Sequence, residues 1–165
     1  MKRTLLFVGL AMLCGSGLAA LQQPSTGPVG THTMITADTL KWGPPPPGLP
    51  AGSEVAVLSG DPAKAGEVFT LRVKMPAGYK VSPHWHPGDE HVSVLSGQLM
   101  LGMGETFDAA KMQAMAAGSF ASMPKEMRHY VQAKGPTVIQ VHGIGPFGIT
   151  YVNPADDPRS KPATN

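Results

Sequence analysis

The chain has 165 residues, enough for one domain with a real core and too few for two independent ones. Thirteen Lys and Arg stand against eleven Asp and Glu without forming a basic cluster, so the electrostatic term that drives phosphate-backbone binding has no source, and no nucleic-acid partner is expected. The single cysteine, Cys14, cannot make an internal disulfide, so stability has to come from the core, from assembly or from a bound metal.

Lys2 and Arg3, an apolar run from Leu5 to Leu13, and small residues at Gly15, Gly17, Ala19 and Ala20 have the three-part layout of a secretory signal. We expect residues 1–19 to be a signal peptide cleaved near Ala19, with the mature protein periplasmic or secreted. The apolar run is shorter than the roughly 18 residues of a spanning helix and is interrupted by glycine, which argues against a stable membrane span. Cys14 keeps a lipoprotein open as an alternative, although bulky Leu13 before it suits that signal poorly. Cleavage would remove Lys2, Arg3 and Cys14, leaving eleven basic and eleven acidic residues and no thiol.

Residues 20–52 are rich in Pro, Gly and Thr and end in "KWGPPPPGLP". The four prolines Pro44 to Pro47 favour a stiff polyproline II rod. We read the segment as an N-terminal arm lying along the folded domain or a neighbouring subunit, anchored by Trp42; a ligand for a proline-binding module is the alternative.

From Ser53 onward, "EVAVLSGD", "EVFTLRVKMPAG", "EHVSVLSG", "QLMLGMG" and "PTVIQVHGIG" are short runs of Val, Leu, Ile and Thr closed by Gly, Pro, Asp or Ser. Such runs at near-regular spacing predict strands, and an all-β sandwich or barrel. "DAAKMQAMAAG", residues 108–118, contains good helix formers ahead of Gly118 and predicts at most a short helical turn. The end, residues 154–165, reads as a polar, proline-broken tail.

Three of the six histidines fall in "HWHPGDEH", residues 84–91. On an extended strand His84 and His86 project to one face while Trp85 points away. The Pro-Gly-Asp turn then lets Glu90 return a carboxylate toward the same point from the next strand, with His91 on the opposite face and therefore structural. Two imidazoles and a carboxylate so arranged suit a divalent metal.

The wider frame is Gly78, five residues, His84-x-His86, three residues, Glu90, six residues and Gly97. A second segment runs from Gly118 through Pro124 to His129. In both the chain resembles the cupins, specifically a small single-domain member of that RmlC-like jelly-roll superfamily, over residues 53–153. The first cupin motif is matched at every position. The second departs at Glu126, where glycine is usual, and at Ala133, where asparagine is usual. A non-glycine residue at 126 predicts a backbone that avoids positive φ there.

The resemblance implies a cupin jelly-roll β-barrel holding one divalent transition metal on His84, His86, Glu90 and His129. Imidazole and carboxylate suit Zn, Fe, Mn, Ni, Co and Cu alike, while the lack of thiolate argues against a soft Cu(I) site. Gln140 and His142 share one face of β-type "VIQVHG" and either both line the pocket, as ligand-binding candidates, or both face solvent. Tyr130 and Tyr151 are open between pocket hydroxyl and rim aromatic, and the scattered methionines read as core filling. The expected partner is a small organic ligand. As an enzyme the protein would be a metal-dependent oxygenase, isomerase or hydrolase acting on a small oxygen-rich molecule; the alternatives are a binding or sensing module without turnover and a metal that serves only as a structural staple. By the same resemblance, and given the long arm, a homodimer is expected.

Overall fold

The computed structural model describes residues 32–160; the signal-type segment, Cys14 and the last five residues lie outside the described residues. Among the described residues ten strands form: β1 (Glu54–Ser59), β2 (Val68–Met75), β3 (Lys80–Trp85), β4 (Glu90–Ser96), β5 (Gln98–Met103), β6 (Gln113–Ala116), β7 (Phe120–Met123), β8 (His129–Ala133), β9 (Thr137–Ile144) and β10 (Thr150–Tyr151). They build two five-stranded antiparallel sheets, β1-β2-β9-β4-β7 and β10-β3-β8-β5-β6, the all-β jelly roll expected. No helix among the described residues is long and apolar enough to cross a membrane.

Alternation sets the inner faces. In β9, Thr137, Ile139, Val141 and Gly143 are buried while Val138, Gln140 and His142 are half-buried and Ile144 is exposed. Its partner β2 turns Phe69, Val73 and Met75 inward and keeps Val68 outside. Each strand thus carries a period-two stripe of branched or aromatic side chains, which only a half-buried strand can use. Against them pack Val81, Leu99, Leu101, Met115 and Tyr151 from the second sheet. Fully burying side chains of this size is worth about 1.5–3 kcal/mol each.

The segment 108–118 differs from its local propensity. Only Ala109–Lys111 forms a single 3-10 turn, opened by the Asp108 carboxylate accepting from the Ala110 amide at 3.0 Å. Gln113–Ala116 is strand β6, paired with β5 and burying Met115. A helix there would leave the edge of β5 unpaired and Met115 outside the core, and tertiary pairing overrides the weak preference. The tail is also more ordered than its composition suggests. Up to Ser160 it forms two 3-10 turns, and Arg159 donates to the Asp157 carboxylate and, at 2.9 Å, to the Ile149 carbonyl.

Within the proline-rich stretch, the described residues from Trp42 to Pro50 lie against the barrel. Gly43 pairs with Val55 of β1, and the Lys74 ammonium lies 4.7 Å from the Trp42 ring centroid. The Tyr79 hydroxyl donates to the Pro50 carbonyl at 2.7 Å and the Tyr151 hydroxyl to the Gly48 carbonyl at 2.9 Å. Gly48 permits this approach, since a Cβ there would come 2.5 Å from Ile149 Cγ2. Gly97, the closing glycine of the first motif, has φ +76° and faces the Pro136 carbonyl so closely that no side chain fits.

Glu126 overturns the expectation drawn for it. It has φ 63°, the one positive value outside glycine among the described residues. Its amide donates to the His86 carbonyl at 2.8 Å and its carbonyl accepts from Arg128 at 2.6 Å, so the turn before β8 is bound to the end of β3. This anchoring holds a backbone geometry that costs a non-glycine residue of order 1–3 kcal/mol. Glu126→Gly is therefore expected to raise the unfolding free energy by about 1 kcal/mol, after glycine's own entropic penalty. Urea denaturation measures it, and a loss of stability would contradict the reading.

Candidate metal centre

Three strand ends, those of β3, β4 and β8, meet at one end of the barrel. His84 lies near the end of β3 and pairs across the ladder with His129, which opens β8. His86 follows β3 by one residue, and Glu90 opens β4 in the opposite sheet. The alternation expected for "HWH" holds: His84 and His86 are 4% and 7% exposed, while Trp85 is half-buried with Arg128 near its ring. Glu90 and His129 are equally buried, at 7% and 2%.

One ring nitrogen from each of His84, His86 and His129 falls within a set no wider than 4.8 Å. The ring centroids are 4.2 Å apart for His84 and His129, 5.0 Å for His84 and His86 and 5.4 Å for His86 and His129. Glu90 Oε2 lies 3.2 Å from His129 Nε2 and 3.6 Å from His86 Nε2.

Each imidazole is fixed through its other nitrogen. His84 Nδ1 donates to the Ser82 carbonyl at 2.8 Å, His86 Nδ1 to the Gly148 carbonyl at 2.6 Å, and His129 Nδ1 to the Met127 carbonyl at 3.0 Å. A carbonyl only accepts, so Nδ1 carries the proton and Nε2 of each neutral ring presents its lone pair. Two buried polar atoms at the point of convergence, His86 Nε2 and Glu90 Oε2, have no hydrogen-bond partner. Buried polar atoms left so are costly, and a cation between them satisfies both at once. The donor set therefore fits a divalent metal on its own chemistry.

A cavity of about 290 Å³ opens beside these four residues. Its other lining side chains are apolar except Tyr79, and include Val73, Met75, Leu99, Leu101, Ile139 and Val141.

Residues 31–148 match the family described as the ChrR cupin-like domain. The chain belongs to that family. Among solved structures, the polyketide cyclase RemF from Streptomyces resistomycificus superposes with a TM-score of 0.62 at 17% identity, over 78% of this chain and 91% of that one. KdgF from Halomonas sp. gives 0.53 at 18% identity, over 70% and 96% of the two chains. An RmlC-like cupin from Shewanella frigidimarina gives 0.53 at 11% identity, over 70% and 94%. At these identities they share the fold alone. No curated protein matches the sequence.

Within this cupin-like domain, Gln140 and His142 do not line the cavity, so of the two arrangements left open by the sequence the outward-facing one holds and they drop out as ligand-binding candidates. They project from β9 on the face opposite Ile139 and Val141, where Arg72 Nε donates to Gln140 Oε1 at 3.2 Å and His142 stacks on His91 at 4.9 Å. The period of two decides it: once Ile139 and Val141 face the cavity, their neighbours cannot. His91, also outside, stacks on Phe120 at 5.9 Å. Tyr130 is fully buried behind Gly102 with its hydroxyl donating to the Asp108 carbonyl, and its ring does not line the cavity. The Tyr151 hydroxyl is engaged on Gly48, and burial pushes its pKa well above the ordinary value.

Two contributors escape sequence reasoning. Phe147 stacks on His86 at 4.3 Å and 15°, and Gly148 supplies the carbonyl that orients the same ring. Both come from the loop after β9, about sixty residues along the chain, and no spacing rule ties them to "HWH".

Electrostatics divide the four residues. Burial and the neighbouring imidazoles hold His84 well below the usual histidine range, and burial lowers His86 against the pull of Glu90. Burial also disfavours charge on His129 and Glu90, but each offsets it for the other: His129 is raised above its ordinary 6.5 and Glu90 lies below its ordinary 4.5. In the metal-free protein the His129 part of this pair is fully present below 6.5 and lost as pH rises, and the Glu90 part is fully present above 4.5 and lost as pH falls. The pair thus stabilises the metal-free fold most between those values. Glu90→Gln is expected to lower the His129 titration midpoint in metal-free protein, read from imidazole resonances by NMR; an unchanged midpoint would show that the two groups are not coupled.

Proposed function

We propose that this is an exported cupin-like protein that binds one divalent transition metal through His84, His86, Glu90 and His129 and uses it to hold a small organic ligand in the barrel. The observation that carries the reading is the pair of buried, unpartnered atoms His86 Nε2 and Glu90 Oε2, set among imidazoles whose Nδ1 protons are already committed. Such second contacts to backbone carbonyls orient a metal-binding histidine and fix its tautomer. When bound, the metal supplies a Lewis-acid centre for oxygen donors, with about one unit of positive charge left after one carboxylate. Imidazole and carboxylate leave Zn, Fe, Mn, Ni, Co and Cu all eligible.

A binding or sensing role without turnover is favoured over acid/base catalysis by one feature of the cavity. Beyond the four residues, its lining among the described residues offers only the Tyr79 hydroxyl as a proton-bearing side chain, and that group is engaged by Ser53 and Pro50. The proposal of export rests on residues 1–20 as a sequence. Self-association as a homodimer is supported by apolar side chains on the outer face of the first sheet, where Val68, Phe120 and Ile144 are more than half exposed.

Native mass spectrometry of the exported protein tests these points together. The expected species is a dimer of chains beginning after Ala19, with one metal per chain. The His84→Ala/His129→Ala variant should lose the metal, and Glu90→Gln should bind it at least about tenfold more weakly. A wild-type protein without metal after reloading, or a variant that keeps it, would overturn the metal reading. A melting temperature unmoved by chelator would remove the structural-staple alternative.

A further inference from the structure

We infer that the ligand of this cavity is an apolar molecule of about ten non-hydrogen atoms with a single monoanionic oxygen head, of the class of medium-chain monocarboxylates. The inference rests on the metal reading above and names what the site holds.

Polarity in the cavity is concentrated at one place. His84, His86, Glu90 and His129 lie together, and the remaining lining is Val, Leu, Ile, Met, Pro, Ala, Gly and Phe apart from Tyr79. The Tyr79 hydroxyl accepts from Ser53 Oγ at 3.0 Å and donates to the Pro50 carbonyl at 2.7 Å, so it has little capacity left for a ligand. A sugar acid, polyol or dicarboxylate would carry hydroxyls or a second charge into surroundings with no partner for them, where an unmatched polar group is strongly penalised. An oxygen-rich substrate, the class named above for an enzyme, therefore suits this lining poorly. One oxygen head beside the four polar residues, and hydrocarbon elsewhere, matches the lining throughout.

Charge and size set the rest. Three neutral imidazoles and one carboxylate leave a divalent ion with one uncompensated positive charge, which a monoanion neutralises and a dianion exceeds. A cavity of roughly 150 Å³ takes a benzene molecule. At about 290 Å³ this one has room for close to twice as many atoms. The mouth lies where lining residues are also exposed, at Pro46, Ala63 and Gly148, with Leu49 and Phe147 half-buried beside it. The described part of the proline-rich segment thus supplies part of the apolar rim.

Octanoate and adipate each have ten non-hydrogen atoms and differ by a second carboxylate, and acetate is the head without the body. The experiment titrates all three into cobalt(II)-loaded full-length protein, following the visible absorption of the cobalt and ligand binding by calorimetry. Octanoate is expected to bind at least about 30-fold more tightly than either adipate or acetate and to shift the cobalt spectrum, because only it fills the apolar cavity without burying a second charge. The His84→Ala/His129→Ala variant, which keeps the apolar lining, should lose the tight octanoate binding. One equivalent of cobalt with octanoate no tighter than adipate or acetate overturns this inference and leaves the metal reading standing. Failure to bind cobalt overturns both. Tight octanoate binding that the double variant retains places the ligand away from the metal and also overturns it.

Discussion

Three hydrogen bonds from imidazole Nδ1 to backbone carbonyls, at Ser82, Gly148 and Met127, are the constraint on which the site depends. Each is modest by itself, yet together they decide which nitrogen of each ring carries its proton and which way the ring faces. With the Nδ1 atoms committed, the three Nε2 atoms and the Glu90 carboxylate share a buried volume in which Glu90 reaches His129 at 3.2 Å and His86 Nε2 is left without a partner. The capacity to hold a metal is then a property of the fold's hydrogen-bond accounting as well as of the candidate ligand residues.

The barrel places those groups from two sides. The ladder between β3 and β8 brings His84 opposite His129, whereas Glu90 arrives from the other sheet, where it pairs with Met123 and Gly143. A cation held by all four side chains would join the two sheets at their open end, in a domain without cysteine, since Cys14 precedes it. Below that end the interior stays apolar. The outer face of the first sheet takes polar and stacked residues, with His91, Gln140 and His142 all turned outward.

Much of this was legible because β structure repeats every two residues. The five apolar runs predicted as strands are strands, and His84 and His86 share a face because their spacing requires it. Alternation alone could not say which face of "VIQVHG" points inward; that depended on the partners β2 and β4, and Gln140 and His142 fell outside. Helix propensity misjudged Gln113–Ala116 because pairing with β5 outweighs a few tenths of a kcal/mol per residue. The missing glycine at position 126 suggested relaxed backbone, yet the contact from its amide to His86 holds positive φ in a glutamate. Phe147 and Gly148 were invisible for a related reason: they reach His86 only through the closure of the barrel.

The central claim is that these four side chains converge on a single ion. Anomalous diffraction from crystals of the metal-loaded protein, collected on both sides of the absorption edge of the bound metal, tests it most directly. One peak per chain is expected, about 2.0–2.3 Å from Nε2 of His84, His86 and His129 and from a Glu90 oxygen. A peak elsewhere, for example beside His91 and His142 on the outer sheet face, or no peak among the four residues, would contradict it.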